Sequence, residues 1–126
     1  MTMIIDGSAG ATFPDSKVQG VAFTSTQSGS APMFAARAWC VFDGTLTGTN
    51  APTAGGNVTS VTRNGVGDYT VNFTTAIQDA NYCVVAAGNQ VAATSTRTTT
   101  TTRVVTINTT TGSALDSSAV HVAIFR

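Results

Sequence analysis

The tetrapeptide Asn64-Gly65-Val66-Gly67 is the feature of this chain that most restricts how it can fold. It separates two strand-like runs, residues 57–63 and 68–74. An Asn-Gly pair between such runs supplies the positive φ angles that a tight hairpin turn requires. The sequence therefore predicts an antiparallel β-hairpin whose turn begins at Asn64-Gly65.

Strand-like runs recur through the rest of the chain, and no ten-residue stretch has the pattern of an amphipathic helix. The clearest alternation lies in the last run, where Val120, Val122 and Ile124 share one face. Threonine, which fits a pleated strand better than a helix, supplies 24 of the 126 residues. These patterns predict an all-β fold, an antiparallel β-sandwich (jelly-roll-like) of about six to eight strands. The predicted strands are 33–42, 57–63, 68–74, 82–87, 103–108 and 120–125, with a further one near 91–96.

Three of these segments carry more specific expectations. The run 33–42 is apolar apart from Arg37, which predicts a strand covered on both faces. Val105 and Ile107 share one face of the strand 103–108. The five consecutive threonines at 98–102 are predicted to form an exposed strand, because strand-like runs lie on both sides of them.

The two cysteines, Cys40 and Cys83, are too few for a disulfide-built scaffold and lack the spacing of zinc ligands. Each lies inside an apolar, strand-like run. We interpret them as two small buried hydrophobic residues. A Cys40–Cys83 disulfide bridge is the alternative.

The first 32 residues differ from the remainder, since short apolar stretches are separated there by Gly, Pro and Ser. Such a segment cannot bury a core of its own. We therefore divide the chain into an extended N-terminal arm, 1–32, and a β-sandwich domain, 33–126. The arm is expected to order against its own domain, a neighbouring subunit or a socket on a larger particle, and so to serve in attachment or oligomerisation. The side chains expected to make this attachment are Ile4, Ile5, Phe13 and Pro14.

The charge of the chain excludes several partners. Its formal net charge is zero and only 10% of its residues are charged, so it has no electrostatic footprint for nucleic acid or an anionic membrane. Its opening residues lack the features of a signal peptide, and no apolar stretch is long enough to span a membrane. So few charges favour a surface partly covered by other subunits. We expect self-association, with no nucleic acid and no membrane insertion.

Residues suited to catalysis are scarce. His121 is the only histidine, and it lies on the less apolar face of the last strand. No serine lies in a nucleophile-elbow motif, and most aspartates fall at predicted turns, where they bond nearby backbone groups. One histidine and two scattered cysteines do not make a zinc site, and no calcium-loop pattern is present. The sequence therefore predicts that the protein is not an enzyme and that it binds neither a metal ion nor a cofactor.

Two groups of residues are candidates for binding. Arg37 and Trp39 share a face of the first predicted strand with Val41, and we assign these three to a subunit interface. Stacking of Trp39 on a sugar ring is the alternative. Loop tips are the candidates for polar contact with a receptor, and their residues are Asn64, Gly65, Asn89, Gln90, Thr111 and Ser113.

Four segments carry a resemblance to a known family. Residues 36–45 (ARAWCVFDGT), 56–85 (GNVTSVTRNGVGDYTVNFTTAIQDANYCVV) and 116–125 (DSSAVHVAIF) resemble a recurrent C-terminal module of tailed-bacteriophage fibre and appendage proteins. Residues 4–20 (IIDGSAGATFPDSKVQG) are similar to the virion-proximal segments that open many phage fibre proteins. Residues 46–55 and 91–102 match least.

The resemblance implies a β-sandwich, commonly trimeric, at the distal end of a projection whose N-terminal arm joins the virion. Family members often carry the module at the end of a much longer fibre, whereas here arm and module adjoin. A short tail fibre, a head fibre or a capsid-bound appendage therefore fits this chain better.

We accordingly expect a virion protein, assembled in the host cytoplasm as a homotrimer. Its arm would contact other virion proteins, and its loops would contact a host-surface glycan. A capsid decoration protein without receptor binding and a small carbohydrate-binding module are the alternatives.

Overall fold

The computed structural model describes residues 4–6, 10–12 and 34–126, apart from Gln90. The chain divides into two units, Met1–Met33 and Phe34–Arg126, and each is described by itself. In the first unit, strand β1 (Ile4–Asp6) pairs antiparallel with β2 (Gly10–Thr12). Sequence analysis did not predict this small hairpin.

The second unit is built of strands, and no helix occurs among its described residues. Seven of its strands have six or more residues, while β4 and β5 are short. The strands are β3 (Ala36–Phe42), β4 (Thr49–Asn50), β5 (Ala54–Gly56), β6 (Val58–Gly65), β7 (Asp68–Phe73), β8 (Cys83–Gly88), β9 (Val91–Arg97), β10 (Thr101–Ile107) and β11 (Val120–Phe125).

These strands form two antiparallel sheets that pack face to face. The large sheet has the order β4-β6-β7-β10-β9, and the small sheet has the order β5-β3-β11-β8. Strands β3 and β11, the first and last of this unit, pair at the centre of the small sheet. The predicted all-β sandwich is therefore confirmed.

The core lies between the sheets and is filled by alternate side chains of each strand. Tyr69, Val71 and Phe73 of β7 point inward, and Val120, Val122 and Ile124 of β11, which the sequence predicted to share one face, oppose them. Two edge-to-face aromatic contacts lie in the core. Phe42 contacts Tyr69 with ring centroids 5.2 Å apart, and Phe73 contacts Tyr82 with ring centroids 5.9 Å apart. The remaining core residues are Ala38, Cys40, Val61, Ile77 and Val104.

Strand β10 faces the core with threonines as well as valine. Val105 and Ile107 share one face, but that face is the outer one, and Thr102, Val104 and Thr106 are the buried residues. The buried hydroxyls are satisfied locally. Thr106 Oγ1 donates to Leu115 O at 2.5 Å, and Thr102 Oγ1 donates to Thr96 O at 3.3 Å.

The β6–β7 turn differs from the prediction. Strand β6 continues through Asn64 and Gly65, and the two turn residues are Val66 and Gly67. Gly67 carries the positive φ (+62°), and a Cβ there would lie 2.5 Å from Thr106 O. Neighbouring backbone therefore fixes the turn at the second glycine, a constraint that the local Asn-Gly motif does not reveal.

The five threonines also differ from the predicted exposed strand. Thr98 to Thr100 form the turn between β9 and β10, and only the last two belong to β10. Thr98 N donates to Thr101 O, and Thr98 Oγ1 accepts bonds from the backbone N–H of Thr100 and Thr101. A threonine hydroxyl that bonds backbone two or three residues ahead favours a turn over an extended strand.

The prediction that both cysteines are buried is correct for Cys40 and wrong for Cys83. Cys40 points into the core, only 1% exposed, but Cys83 lies on the outer face of β8 and is exposed. Both thiols are free. Strand β11 lies between β3 and β8, which separates the two backbones by roughly 9.6 Å, too far for a disulfide bridge.

The domain has two distinct ends. Residues 43–48, 66–67, 88–89 and 108–119 lie at one end, which we call the loop end. The opposite end contains Phe34, residues 74–82 and 98–100, and Arg126. The chain therefore enters this unit at the end opposite to the loop end.

Candidate binding surfaces

The outer face of the small sheet is mostly apolar. Strand β3 was expected to be covered on both faces, but only its inner side chains are buried within the chain. The outward side chains of three neighbouring strands form one continuous surface, which we call the outer apolar face. Its members are Arg37, Trp39 and Val41 on β3, Cys83, Val85 and Ala87 on β8, and His121, Ala123 and Phe125 on β11.

The strand register places small side chains at the centre of this face. Ala123 lies between Trp39 and Val85, and His121 lies between Val41 and Ala87. Because Trp39 and Val85 extend further than the alanine between them, the face contains a shallow recess of about 230 Å³. Trp39 is 45% exposed and Val85 is 57% exposed, so both are open to a partner.

Trp39 lies against the short edge strand. A Cβ atom at Gly56 would lie 2.7 Å from Nε1 of Trp39, so the indole rests where that glycine has no side chain. The ring thus covers the β5 edge and leaves part of its surface in solvent. Trp39 is not a core residue. Because its indole is 45% exposed, its surface is accessible both to a protein partner and to a sugar ring.

The outer face of the large sheet is more polar, although Val105 and Ile107 of β10 also lie on it. Asn72 Nδ2 donates to Ser60 Oγ at 3.1 Å and to Thr62 Oγ1 at 3.3 Å. Further along the sheet Asn64 Nδ2 donates to Thr70 Oγ1 at 2.9 Å, and Arg103 forms an ion pair with Asp68. Polar side chains on this face are hydrogen-bonded to one another, as suits a surface that remains in water.

Asp116 organises the loop end. Its carboxylate accepts hydrogen bonds from Arg63 Nε (3.1 Å) and Nη2 (2.5 Å), from Gly67 N (2.8 Å) and from Tyr69 OH (3.1 Å). These donors, above all the Arg63 guanidinium, lower the pKa of Asp116 from its usual 3.8 to about 2, although partial burial opposes the shift. A carboxylate with four donors is a structural acceptor, not an available general base.

Residues 108–119 are bonded to each of the other three segments at the loop end. Asn89 N donates to Ser117 Oγ at 2.9 Å, Gly44 N donates to Ser117 O at 2.9 Å, and Asp116 holds Gly67. A second Asn89 bond, from Nδ2 to Ser118 Oγ, also measures 2.9 Å. The loop end is therefore held in one arrangement by its own hydrogen bonds.

The predicted receptor-contact residues gather at this end. Asn64 and Gly65 lie beside the β6–β7 turn, Asn89 follows β8, and Thr111 and Ser113 lie in the loop after β10. Gln90 lies outside the described residues. Sequence reasoning missed three exposed apolar side chains at this end, because turn-rich segments suggest polar tips. They are Leu46, Val66 and Leu115.

The predicted attachment residues lie in the first unit. Ile4 and Ile5 are on β1, opposite Thr12 and Ala11. Phe13 and Pro14 lie outside the described residues. The roles assigned to all four stay predictions.

A second depression, of about 260 Å³, lies at the end opposite to the loop end. Asn57, with a φ of +57°, joins its walls by donating from Nδ2 to Arg37 O and Thr75 O, both at 3.1 Å. Arg126, also in its lining, forms an ion pair with Asp79. Its polar groups are used in holding the strands together.

Among the residues that the structure describes, no three His, Cys, Asp or Glu side chains are grouped so that they could hold a metal ion. None of the described segments is a helix long and apolar enough to cross a membrane. His121 is exposed on the outer apolar face, where its strand neighbours are Val41 and Ala87. Comparison of the chain with family models, with curated proteins and with solved structures finds no match.

Proposed function

We propose that this protein is a structural component of a tailed-bacteriophage virion, a short tail-fibre or head-fibre subunit. In this proposal the subunit is assembled in the host cytoplasm as a homotrimer, and its N-terminal arm contacts other virion proteins. The loop end faces outward and contributes to host attachment, with a host-surface glycan as the candidate ligand. The role is adhesion and assembly, not catalysis.

The polarity of the β-sandwich is the observation that carries this proposal. The chain enters the domain at Phe34, and the four connected loops lie at the other end. Within the domain, the point where the chain enters is therefore separated from these loops by the length of the sandwich. This arrangement suits an appendage that has one end for attachment and one for contact.

The organisation of the loop end supports a binding role. Hydrogen bonds from Asn89, Gly44 and Gly67 to residues 116–117 fix the loops before any ligand arrives. Fixed loops lose less conformational entropy on binding than mobile ones. The ion pairs Arg63–Asp116 and Arg103–Asp68 neutralise four of the charged side chains near the tip. The exposed amides and hydroxyls there suit an uncharged, hydroxyl-rich ligand, and the exposed side chains of Leu46, Val66 and Leu115 offer apolar contact beside them.

A small carbohydrate-binding module is the second candidate function. The observation that favours it is the partly exposed indole of Trp39, which lies against Gly56 on the outer apolar face. Aromatic rings of this kind pack on the apolar faces of sugars. This candidate would use the sheet face, whereas the adhesion proposal uses the loop end.

Two measurements on the encoding phage test the virion role. Mass spectrometry of purified particles, followed by immunogold labelling, is expected to find the chain on the tail or on the head. Particles that lack the chain would contradict the proposal. Purified full-length protein, added to host cells before the phage, is then expected to slow adsorption.

A matched pair of variants locates the contact. Thr111→Arg places a long charged side chain at the loop end, where Thr111 is exposed. Ala93→Arg does the same on the outer face of the large sheet, which is also exposed. We expect Thr111→Arg to block adsorption less well than the unchanged protein, and Ala93→Arg to block it equally well. A virion-located chain that never slows adsorption would indicate a decoration protein.

A further inference from the structure

We infer that Asn64 is a site of spontaneous modification, at which the side-chain amide reacts with the backbone nitrogen of Gly65 and then with water to become a carboxylate. This inference goes beyond the proposed function and does not depend on it. Asn64 lies at the loop end, directly before the last residue of β6. The modification would change the charge of this end of the domain without the action of another protein.

The reaction is an intramolecular displacement. The backbone nitrogen of Gly65 gives its proton to a solvent base and forms a bond to Cγ of Asn64. The bond from Cγ to Nδ2 breaks, and the amide group takes up a proton and leaves as ammonia. Water then opens the succinimide ring at either of its two carbonyls, which yields aspartate or isoaspartate at position 64. The net reaction consumes one water and releases one ammonia, and nothing is oxidised or reduced.

The residue after an asparagine decides how readily this ring closes. A side chain at that position shields the attacking nitrogen and restricts the rotation of the backbone, whereas glycine does neither. The chain has seven asparagines, and only Asn64 precedes a glycine. The residues that follow the other six all carry a side chain.

The structure leaves the Asn64-Gly65 unit open to this reaction. Asn64 is exposed, and a Cβ atom built at Gly65 would have no atom beyond its chain neighbours within 4 Å. The pairing of β6 with β7 shifts register between Arg63 and Gly65, so Asn64 has no partner on β7. Such a bulge interrupts the ladder and leaves its extra residue unpaired. The backbone at the reacting atoms is therefore less restrained than in the middle of a strand.

Asp43-Gly44 is a related unit, and the structure protects it. An aspartate before a glycine can close the same ring, with water as the leaving group. Gly44 N, however, donates to Ser117 O at 2.9 Å, and a Cβ atom there would collide with the side chain of Tyr69. The Asp43 carboxylate accepts bonds from Thr45 N and Oγ1. The crowding around this glycine is absent from the Asn-Gly unit.

Two hydrogen bonds restrain the Asn64 side chain in the folded protein. Asn64 Nδ2 donates to Thr70 Oγ1 at 2.9 Å and to Asp68 Oδ1 at 3.2 Å. Both acceptors are side chains on the outer face of the large sheet, where water competes for the same bonds. The two bonds hold the amide without burying it, so they slow ring closure and do not prevent it.

The products change the electrostatics and the backbone of the loop end. Each event adds one negative charge to a chain whose formal net charge is zero. The amide donor to Asp68 is lost and a carboxylate takes its place, so two like charges then stand side by side, next to Arg103. Isoaspartate also adds a methylene group to the backbone of β6, between Arg63 and Gly67, which both bond Asp116.

Incubation of the folded full-length protein in water enriched in the heavy oxygen isotope tests the inference. The protein is held at pH 9 and at pH 6, digested with pepsin in acid and analysed by mass spectrometry with fragmentation. Labelled oxygen in the new carboxyl group identifies water that entered during the incubation. Gly65→Ala is the matched control, because the position has open space and no positive φ, so alanine fits there without strain. Circular dichroism checks that each variant is folded.

We expect labelled aspartate and isoaspartate at position 64, formed about tenfold faster than at any other asparagine. The rate is expected to be about tenfold higher at pH 9 than at pH 6, because ring closure needs a deprotonated backbone nitrogen. Gly65→Ala is expected to lower the rate at position 64 about tenfold. Thr70→Val removes the acceptor at 2.9 Å and is expected to raise the rate about twofold.

Three results would overturn the inference. Conversion at position 64 that is no faster than at exposed Asn81 would show that the glycine gives no advantage in this fold. An unchanged rate in folded Gly65→Ala would exclude attack by the backbone nitrogen. Conversion in urea but not in the folded protein would show that the hairpin protects the amide.

The variant Thr70→Val tests the restraint separately, since an unchanged rate there would overturn the part assigned to that hydrogen bond. None of these results bears on whether the chain is found in virions or slows adsorption. The inference and the proposed function can therefore fail independently of each other.

Discussion

Asp116→Asn is the substitution whose effect can be worked out most fully from the structure. The change keeps the size and shape of the side chain and removes its charge. Asn retains one acceptor oxygen, but its amide group would face the Arg63 guanidinium, which donates two hydrogen bonds to the carboxylate in the unchanged protein. The bonds from Gly67 N and Tyr69 OH compete for the remaining oxygen.

The shift of the Asp116 pKa gives the magnitude. A fall from 3.8 to about 2 corresponds to roughly 2.5 kcal/mol at 1.36 kcal/mol per pKa unit. The side chain is 23% exposed, and solvent screening reduces the effective contribution to about 1–1.5 kcal/mol. We expect Asp116→Asn to lower the free energy of unfolding at pH 7 by about 1–2 kcal/mol.

The pH dependence follows from the direction of the shift. A carboxylate whose pKa is lower in the folded state stabilises the fold above its unfolded pKa, near 3.8. That contribution is lost as the pH falls through about 2. The stability difference between the unchanged protein and Asp116→Asn is therefore expected to be full at pH 7 and to shrink steadily between pH 4 and about 2.

Urea unfolding followed by Trp39 fluorescence at pH 7, 4 and 2 measures this difference, with every variant at the same protein concentration. Asp79→Asn is the matched control, because Asp79 also receives two bonds from an arginine but is more exposed than Asp116, as is Arg126 compared with Arg63. Its effect is expected to be smaller. The reasoning would be refuted if the two substitutions cost the same, or if the Asp116→Asn difference did not shrink in acid.

Two further predictions concern the turn and the thiols. Gly67→Ala is expected to lower the free energy of unfolding by about 2 kcal/mol or more, because its Cβ would meet backbone at 2.5 Å. Gly112→Ala is the control, since a Cβ there has open space and only the positive φ opposes the substitution. Equal losses of stability in urea unfolding would contradict this reasoning. Iodoacetamide is expected to modify the exposed thiol of Cys83 and to spare Cys40, because burial raises the pKa of the Cys40 thiol to about 12. If mass spectrometry of the folded protein finds both cysteines modified, the core position of Cys40 is contradicted.

The sandwich could be predicted because strand alternation is a local property. Val71 and Val122 each stand between two further buried side chains at i−2 and i+2, so the period of two is visible without knowledge of partners. Val105 and Ile107 carry an equally clear alternation, yet they lie on the outer face of β10. There the core accepts Thr106, because its hydroxyl finds Leu115 O, and that partner is set by tertiary structure.

The loop end could be predicted only in part. Turn-forming residues identified the tips at Asn89 and Thr111, but nothing in the sequence relates Asp116 to Arg63, which lies 53 positions earlier. Composition placed aspartates at turns and did not distinguish the one that joins the loop 108–119 to the β6–β7 turn. The structure supplies that distinction through hydrogen bonds between distant segments.

The outer apolar face illustrates a different limit. The run containing Trp39 and Val41 indicated that both faces of the strand would be covered. Within one chain only the inner face is covered. Hydrophobicity predicts that a side chain avoids water, but it does not identify whether the cover comes from the same chain or from another copy.

The pairing of β3 with β11 sets the order in which the protein can mature. Cys40 pairs with Val122, about 80 positions later, so the small sheet closes a long loop and cannot form until β11 has been synthesised. The middle of the outer apolar face consists of β11 side chains. An incomplete chain would therefore lack the central strand of this face. In the proposed homotrimer, completion of each chain would then have to precede its entry into the assembly.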